Sequence, residues 1–226
     1  MITLYGRRNS GNVQKVLWTL DEIGIGYQRL NAGGSFGGTQ VADYLALNPN
    51  GKVPTLVDGD LALFESNTIV RYLAARYGND SLWPADPAQR AAREKWMDWE
   101  LSTLAPVVGP AFLATIRTAP AERDHKLIAA RAAALADTFG LLDRELARTP
   151  YLSGAEFGLA DIPAGTLTAR YRALPLDRPT LVHVDAWFER LSARPAFRRH
   201  VLIEIGSTPD EWTRLERAEA GQTGKQ

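Results

Sequence analysis

The chain has 226 residues, and its 26 lysines and arginines balance 26 aspartates and glutamates. That length accommodates one large domain or two small ones around a core of ordinary size, and the cancelled charge offers no broad field to nucleic acid or to an anionic membrane. Cysteine is absent and the histidines (His125, His183, His200) are dispersed, which excludes disulfides, metal centres built on thiolates or clustered histidines, and catalysis by a thiol of the protein's own.

The opening MITLYGRRNSGN lacks the apolar core of a secretory signal, and no apolar run is long enough to span a bilayer. The cytoplasm is the expected compartment. Ile2 to Tyr5 reads as a short strand, followed by a polar, basic loop from Gly6 to Gly11. Val13, Val16, Leu17, Leu20 and Ile23 share one face of a helix that Gly24 ends. Tyr27 to Leu30 is a second strand, and strand–helix–strand over so short a span predicts parallel pairing. Gly33-Gly34-Ser35-Phe36-Gly37-Gly38 lacks the lysine–serine pair of a phosphate loop and reads as a mobile loop. Val41 to Leu47 is a short helix, and Asn48-Pro49-Asn50-Gly51 is a loop.

Val53 to Val57 and Leu61 to Phe64 read as strands joined by a turn at Asp58-Gly59-Asp60. Ile69, Val70, Leu73, Ala74 and Tyr77 recur on one face of a helix that Gly78 stops. The order βαβ then ββα resembles the thioredoxin fold. Asn79 to Asp86 reads as a linker, and strand signals nearly vanish beyond it. The expected division is residues 1–79, a linker at 80–86, and an all-helical domain over 87–226. Ala88 to about Ile116 is helical with interruptions near Pro106 and Pro110. Pro120-Ala121-Glu122 opens a helix with Ile128, Leu135, Phe139, Leu142 and Leu146 along one stripe. Ser153-Gly154 is a turn. Further helices run over Leu159–Leu174 and Thr180–Ser192, and a short one starts at Pro195. The polar tail after Ala218 is expected to be disordered.

Pro54 stands at the mouth of a strand, where proline is tolerated. A cis Val53–Pro54 bond turns the backbone N–H and C=O of Val53 outward to meet an extended peptide. Glu65-Ser66 begins the following helix, where open N–H groups and the helix dipole suit a carboxylate. One place for a peptide backbone beside one for a carboxylate describes a small peptide ligand. The same residues also fit a plain proline at a strand edge and a serine cap.

K-V-P-T-L followed by E-S-x-x-I, the early S-x-N before a helix and the later G-x-A-D together resemble the glutathione S-transferases, in the right order over about residues 1 to 205. The resemblance is to the bacterial, theta- or nu-like serine/asparagine type. It implies a thioredoxin-like domain, an α/β unit, joined to an all-α bundle, with glutathione as co-substrate and no metal. Gly158 stands where many members of this family carry serine or threonine as a helix cap; glycine caps nearly as well, and Asp161 can still accept backbone N–H bonds.

The resemblance implies that glutathione supplies the sulfur. A thiol of pKa about 8.5 is only a few per cent ionised at neutral pH. Lowering that pKa by about two units takes roughly 2.7 kcal/mol, which one hydrogen bond to a charged acceptor and a helix N-terminus can supply. Ser10 is the first candidate donor to the thiolate and Asn12 the second; either can instead simply cap the helix. By resemblance Val53 and Pro54 meet the peptide backbone, Glu65 and Ser66 the γ-glutamyl end, and Lys52 the glycyl carboxylate, with Gln40 and Asn50 as polar contacts. An electrophile would lie between the domains against Trp99, Val107 and Phe112, drawn from a wider set with Trp96, Met97 and Pro106. The family resemblance also implies a homodimer. Glutathione-dependent disulfide reduction and a non-catalytic binding or regulatory role on the same fold are the alternatives.

Overall fold

The computed structural model describes residues 1–218; the tail expected to be disordered lies outside the described residues. The N-terminal domain holds β1 (Ile2–Tyr5), α1 (Gly11–Ile23), β2 (Tyr27–Leu30), α2 (Ala42–Leu47), β3 (Thr55–Asp58), β4 (Leu61–Phe64) and α3 (Ser66–Tyr77). Its four-stranded sheet has the order β2-β1-β3-β4. β1 and β2 pair in parallel, as the βαβ signal requires, and β3 pairs antiparallel with β1 and β4. Gly24 ends α1 in the left-handed conformation at φ 75°, which glycine adopts without cost. Leu4, Leu56, Val13, Leu17, Ile69 and Leu73 are buried between the sheet and the α1–α3 pair.

β3 begins at Thr55, two residues later than the apolar run suggested. The Val53–Pro54 bond before it is cis, as expected. The glycine-rich stretch is not a loose loop. Gly34–Phe36 forms a 3₁₀ turn, and the Ser35 N–H donates to Glu216 at 2.7 Å.

The C-terminal domain is helical: α4 (Pro87–Trp99), α5 (Ala105–Thr115), α6 (His125–Leu146), α7 (Asp161–Arg172), α8 (Val182–Ser192), α9 (Pro195–His200) and α10 (Pro209–Ala218). The expected breaks at Pro106 and Pro110 do not occur. Pro106 lies in the first turn of α5, where its missing N–H is harmless, and Pro110 lies inside that helix. The irregularity is instead a π-helical stretch at Glu100–Leu104. Pro120–Glu122 is a 3₁₀ turn rather than the start of α6. That start is set by Asp124, whose carboxylate accepts from the N–H groups of Lys126 and Leu127 at 2.9 and 3.1 Å.

Gly158 is not the cap of α7, which begins at Asp161. Asp161 accepts instead from Leu152 N, Gly158 N and Trp187 Nε1 at 2.8, 3.0 and 2.8 Å. Burial pushes its carboxyl above the usual carboxylate range, against the pull of these donors. A Cβ at Gly158 would come within 2.8 Å of Ser153 Oγ and 3.0 Å of the Ser81 carbonyl, so close packing accounts for the glycine. Phe139, Leu142, Ile162, Trp187, Leu191 and Phe197 are core residues of this domain. Trp18 of α1 joins the same core, its ring 4.6 Å from that of Phe197. α1 therefore serves both domains, and its N-terminal end lies at their junction.

Candidate functional site

Three segments converge at that end. A Cβ at Gly6 (φ 156°) would lie 2.4 Å from Val13 and 3.4 Å from Val53, and one at Gly33 would lie 3.1 Å from Arg7 and 3.3 Å from Val53. Only hydrogen in place of a side chain lets the loops after β1, after β2 and before β3 approach so closely. Ser10 is the N-cap of α1. Its carbonyl accepts from Gln14 N at 2.9 Å, but its side chain makes no capping bond. The half-buried hydroxyl is thus not committed to its own helix. Asn12, in the first turn, is exposed.

The Val53 segment is braced from beneath. Tyr44 Oη donates to the Lys52 carbonyl at 2.6 Å and lies 2.8 Å from Thr55 Oγ1. Asn48 Nδ2 donates to the same two atoms at 2.8 and 3.0 Å. These bonds flank Val53 on both sides. Among the described residues its own N–H and C=O have no partner. Gln40 Nε2 donates to the Gly51 carbonyl at 3.1 Å, so Gln40 belongs to this loop. Asn50 N donates to Asn48 Oδ1 at 3.0 Å, and the side chains of Asn50 and Lys52 are exposed. Glu65 adopts φ 67°, a conformation uncommon outside glycine, and places Ser66 as the first residue of α3 at 4% exposure. The open N–H groups of that first turn carry the positive end of the helix dipole.

A buried ion pair joins the two helix starts. Lys15 Nζ meets both oxygens of Glu100 at 2.9 and 3.0 Å, each side chain at 1% exposure. Asn67, next to Ser66, donates through Nδ2 to Glu100 Oε2 and to the Met97 carbonyl at 3.1 and 2.9 Å. Burial lowers the Lys15 ammonium below the ordinary lysine range, and Glu100, with help from Glu65, pulls it back up. The π-helical turn is what turns Glu100 inward, a common use of such turns. Sequence reading missed this network, because its members are 85 residues apart.

The proposed walls of a second pocket do not all meet. Phe112 packs edge-on against Trp212 of α10 at 5.0 Å, and Arg170 of α7 lies over both rings. Arg170 reaches the Asn9 carbonyl at 2.9 Å, so Phe112 is tied to the Ser10 loop. Trp99 packs on Trp96 instead, ring to ring at 5.4 Å, Val107 packs on the helical core, Met97 is fully buried and Pro106 is exposed. Glu216 of α10 pairs with Arg7 at 2.8 Å, and a cavity of about 310 Å³ lies between this helix and the loop of Arg8 and Asn9. No group of three or more His, Asp or Glu residues that could hold a metal occurs among the described residues, nor does any helix long and apolar enough to cross a membrane.

A thioredoxin-like domain with a cis-proline loop between two helix starts, joined to a helical bundle, defines a class of thiol-handling proteins. Residues 1–75 match the family described as glutathione S-transferase, N-terminal domain, and residues 97–195 match its C-terminal domain. Glutathione S-transferase GstB of Escherichia coli is 45% identical over 207 residues, covering 91% of this chain and all of that protein. Glutathione S-transferase 3 of Zea mays is 38% identical over 211 residues, covering 88% of this chain and 93% of its own. The crystal structure of the theta class glutathione S-transferase from Xanthomonas axonopodis pv. citri with glutathione bound superposes with a TM-score of 0.87 at 48% identity, covering 91% of this chain and 99% of that one. The chain belongs to the glutathione S-transferase family.

Proposed function

We propose that this protein is a glutathione transferase that holds glutathione between α1 and α3 and delivers its sulfur to a small electrophile. The observation that carries the reading is the open Val53 backbone between two helix starts, with the Ser10 side chain not engaged in capping its own helix. Val53 pairs with the cysteinyl backbone of glutathione. Ser66 and the first-turn N–H groups of α3 receive the γ-glutamyl carboxylate, and Glu65 faces its ammonium. Lys52 pairs with the glycyl carboxylate, with Gln40 and Asn50 at the rim. Ser10 donates to the sulfur and Asn12 supports it. The thiolate attacks the electrophilic carbon; the S–C bond forms and the leaving group departs with its electron pair. Phe112 lies on the side from which that carbon approaches.

The glutathione unit is residues 1–79, connected by 80–86 to the helical unit. We also place the protein in the cytoplasm and assemble it as a two-fold homodimer. The family resemblance puts α3 at the dimer face through Arg71, Tyr72 and Ala75; within the chain Arg71 meets Glu94 and Asp98 at 2.9 and 2.5 Å and Tyr72 meets Asp58 at 2.8 Å, while Ala75 is exposed. Light scattering at micromolar concentration should return the dimer mass, and a monomer mass would remove the assembly. Calorimetric titration with glutathione, followed by turnover of an aryl halide and of a small disulfide, tests the activity. Binding with aryl halide turnover is expected. Turnover of the disulfide alone would replace transfer by reduction, and no binding would remove the site.

A further inference from the structure

We propose that Arg170 is a positioning residue for the sulfur: its guanidinium, fixed behind the Asn9–Gly11 backbone, keeps the bound glutathione thiol ionised. The inference rests on the reading of Ser10 as the sulfur's donor and adds the charge that this reading lacks.

Arg170 is 8% exposed. Its Nη2 donates to the Asn9 carbonyl at 2.9 Å and to Gln14 Oε1 at 3.2 Å, so it clamps the residue before Ser10 to the first turn of α1. A Cβ at Gly11 would lie 4.0 Å from the same nitrogen, which places the cation directly under the helix start. No carboxylate among the described residues pairs with it. Its Nη1 is buried without a partner, and so are both side-chain polar atoms of Asn9 at 5% exposure. A buried cation without a counter-charge is costly unless something negative comes to it. The rings of Phe112 and Trp212, 4.9 and 5.1 Å from its carbon, supply part of the compensation.

The surrounding charges do not cancel it. Glu216 is engaged by Arg7 at 2.8 Å, and Arg117 lies over the Trp212 ring at 5.4 Å. Arg8 and Glu204 line the cavity beside Asn9. Within α1, the Lys15 charge is matched by Glu100. Burial, and secondarily Arg7, lower the Arg170 pKa to about 10, which leaves it fully charged at neutral pH. At an effective dielectric of about 20, a unit charge roughly 10 Å from a forming thiolate is worth about one pKa unit.

The test compares Arg170→Met, which keeps the hydrophobic stem between the rings, with Arg170→Lys, which keeps the charge. Thiolate absorbance of bound glutathione is titrated in each variant and in the wild type, with calorimetry on the same samples. The expected result is a wild-type thiol below the ordinary value of about 8.5, a rise of about one unit in Arg170→Met and less than half that in Arg170→Lys, with glutathione affinity changed less than about threefold. An unchanged thiol pKa in Arg170→Met, with kcat/KM reduced equally at every pH, makes Arg170 a structural brace and overturns the inference. Equal rises in both variants remove the role of charge and overturn it too. If Arg170→Met does not fold, a full-unit rise in Arg170→Lys refutes the inference. A wild-type thiol titrating like free glutathione, despite binding, overturns both this inference and the reading of Ser10.

Discussion

Glu100→Ala tests how much of the site depends on the buried ion pair. The substitution leaves the Lys15 ammonium at 1% exposure without the carboxylate that holds it at 2.9 and 3.0 Å. It also removes one of the two acceptors of Asn67. Breaking a buried pair from one side costs about 3–5 kcal/mol, because the remaining charge stays desolvated. Urea unfolding at fixed protein concentration and pH 7 should show that loss. The pH dependence has a definite sign. Lys15 already has a depressed pKa in the folded state, and losing Glu100 depresses it further. The unfolded chain then binds the extra proton, so the variant's deficit is largest well below the unfolded lysine pKa of about 10.4 and shrinks as pH rises toward it. Lys15→Met combined with Glu100→Leu removes both charges and should recover most of the loss, to within about 2 kcal/mol of wild type. A single-variant loss below about 1 kcal/mol, or a double variant no better than the single, would refute the assignment of this pair as a desolvated, mutually compensated unit.

Ser66→Ala should weaken glutathione binding by about 1–3 kcal/mol in calorimetry, the cost of a buried polar partner lost at the start of α3; unchanged affinity would remove Ser66 from the site. Asn48→Ala deletes the bonds to the Lys52 carbonyl and Thr55 Oγ1, and with Tyr44 still in place it should cost about 1–3 kcal/mol of stability. Its glutathione affinity should fall while the thiol pKa of bound glutathione stays put. Ser10→Ala should raise that thiol pKa by about one to two units, the value of one charge-assisted hydrogen bond, with a smaller rise in Asn12→Ala. The reverse order in absorbance titrations would exchange their roles.

Local signals carried the N-terminal domain. Apolar period, Gly24 and the Asp58–Asp60 turn gave α1, both strand pairs and α3 to within about two residues, and the Val53–Pro54 step is cis. The helical domain was less legible where tertiary contacts decide. Nothing near Glu100 in sequence announces a π turn, and the partner that Glu100 meets, Lys15, lies on another helix. α10 was overlooked although its signal is present: Pro209 opens the helix, and Glu211 N donates to Thr208 Oγ1 at 3.2 Å, a proline-first start with a side-chain cap. The sequence reading assigns no element to the stretch between the short helix at Pro195 and Ala218. Phe112 stood out as an aromatic on a helix, but its tie to the Ser10 loop runs through Arg170, which by itself reads as one more solvated cation.

The charges around the first helix explain how a chain of zero net charge and no cysteine can favour an anion at one point. Lys15 is matched by Glu100, Arg7 by Glu216 and Arg194 by Glu22 at 2.6 Å, so three cations near α1 contribute little field at a distance. Arg170 has no such match, and it lies beneath the residue that precedes Ser10. The dipole of α1 has its positive end in the same place. Pairing these three cations leaves Arg170 as the uncompensated positive charge at the helix start proposed to hold the thiolate, and it does so without raising the net charge that would draw nucleic acid or membrane to the surface. In the proposed site the Ser10 hydroxyl, which makes no capping bond of its own, would set where in that potential the sulfur rests.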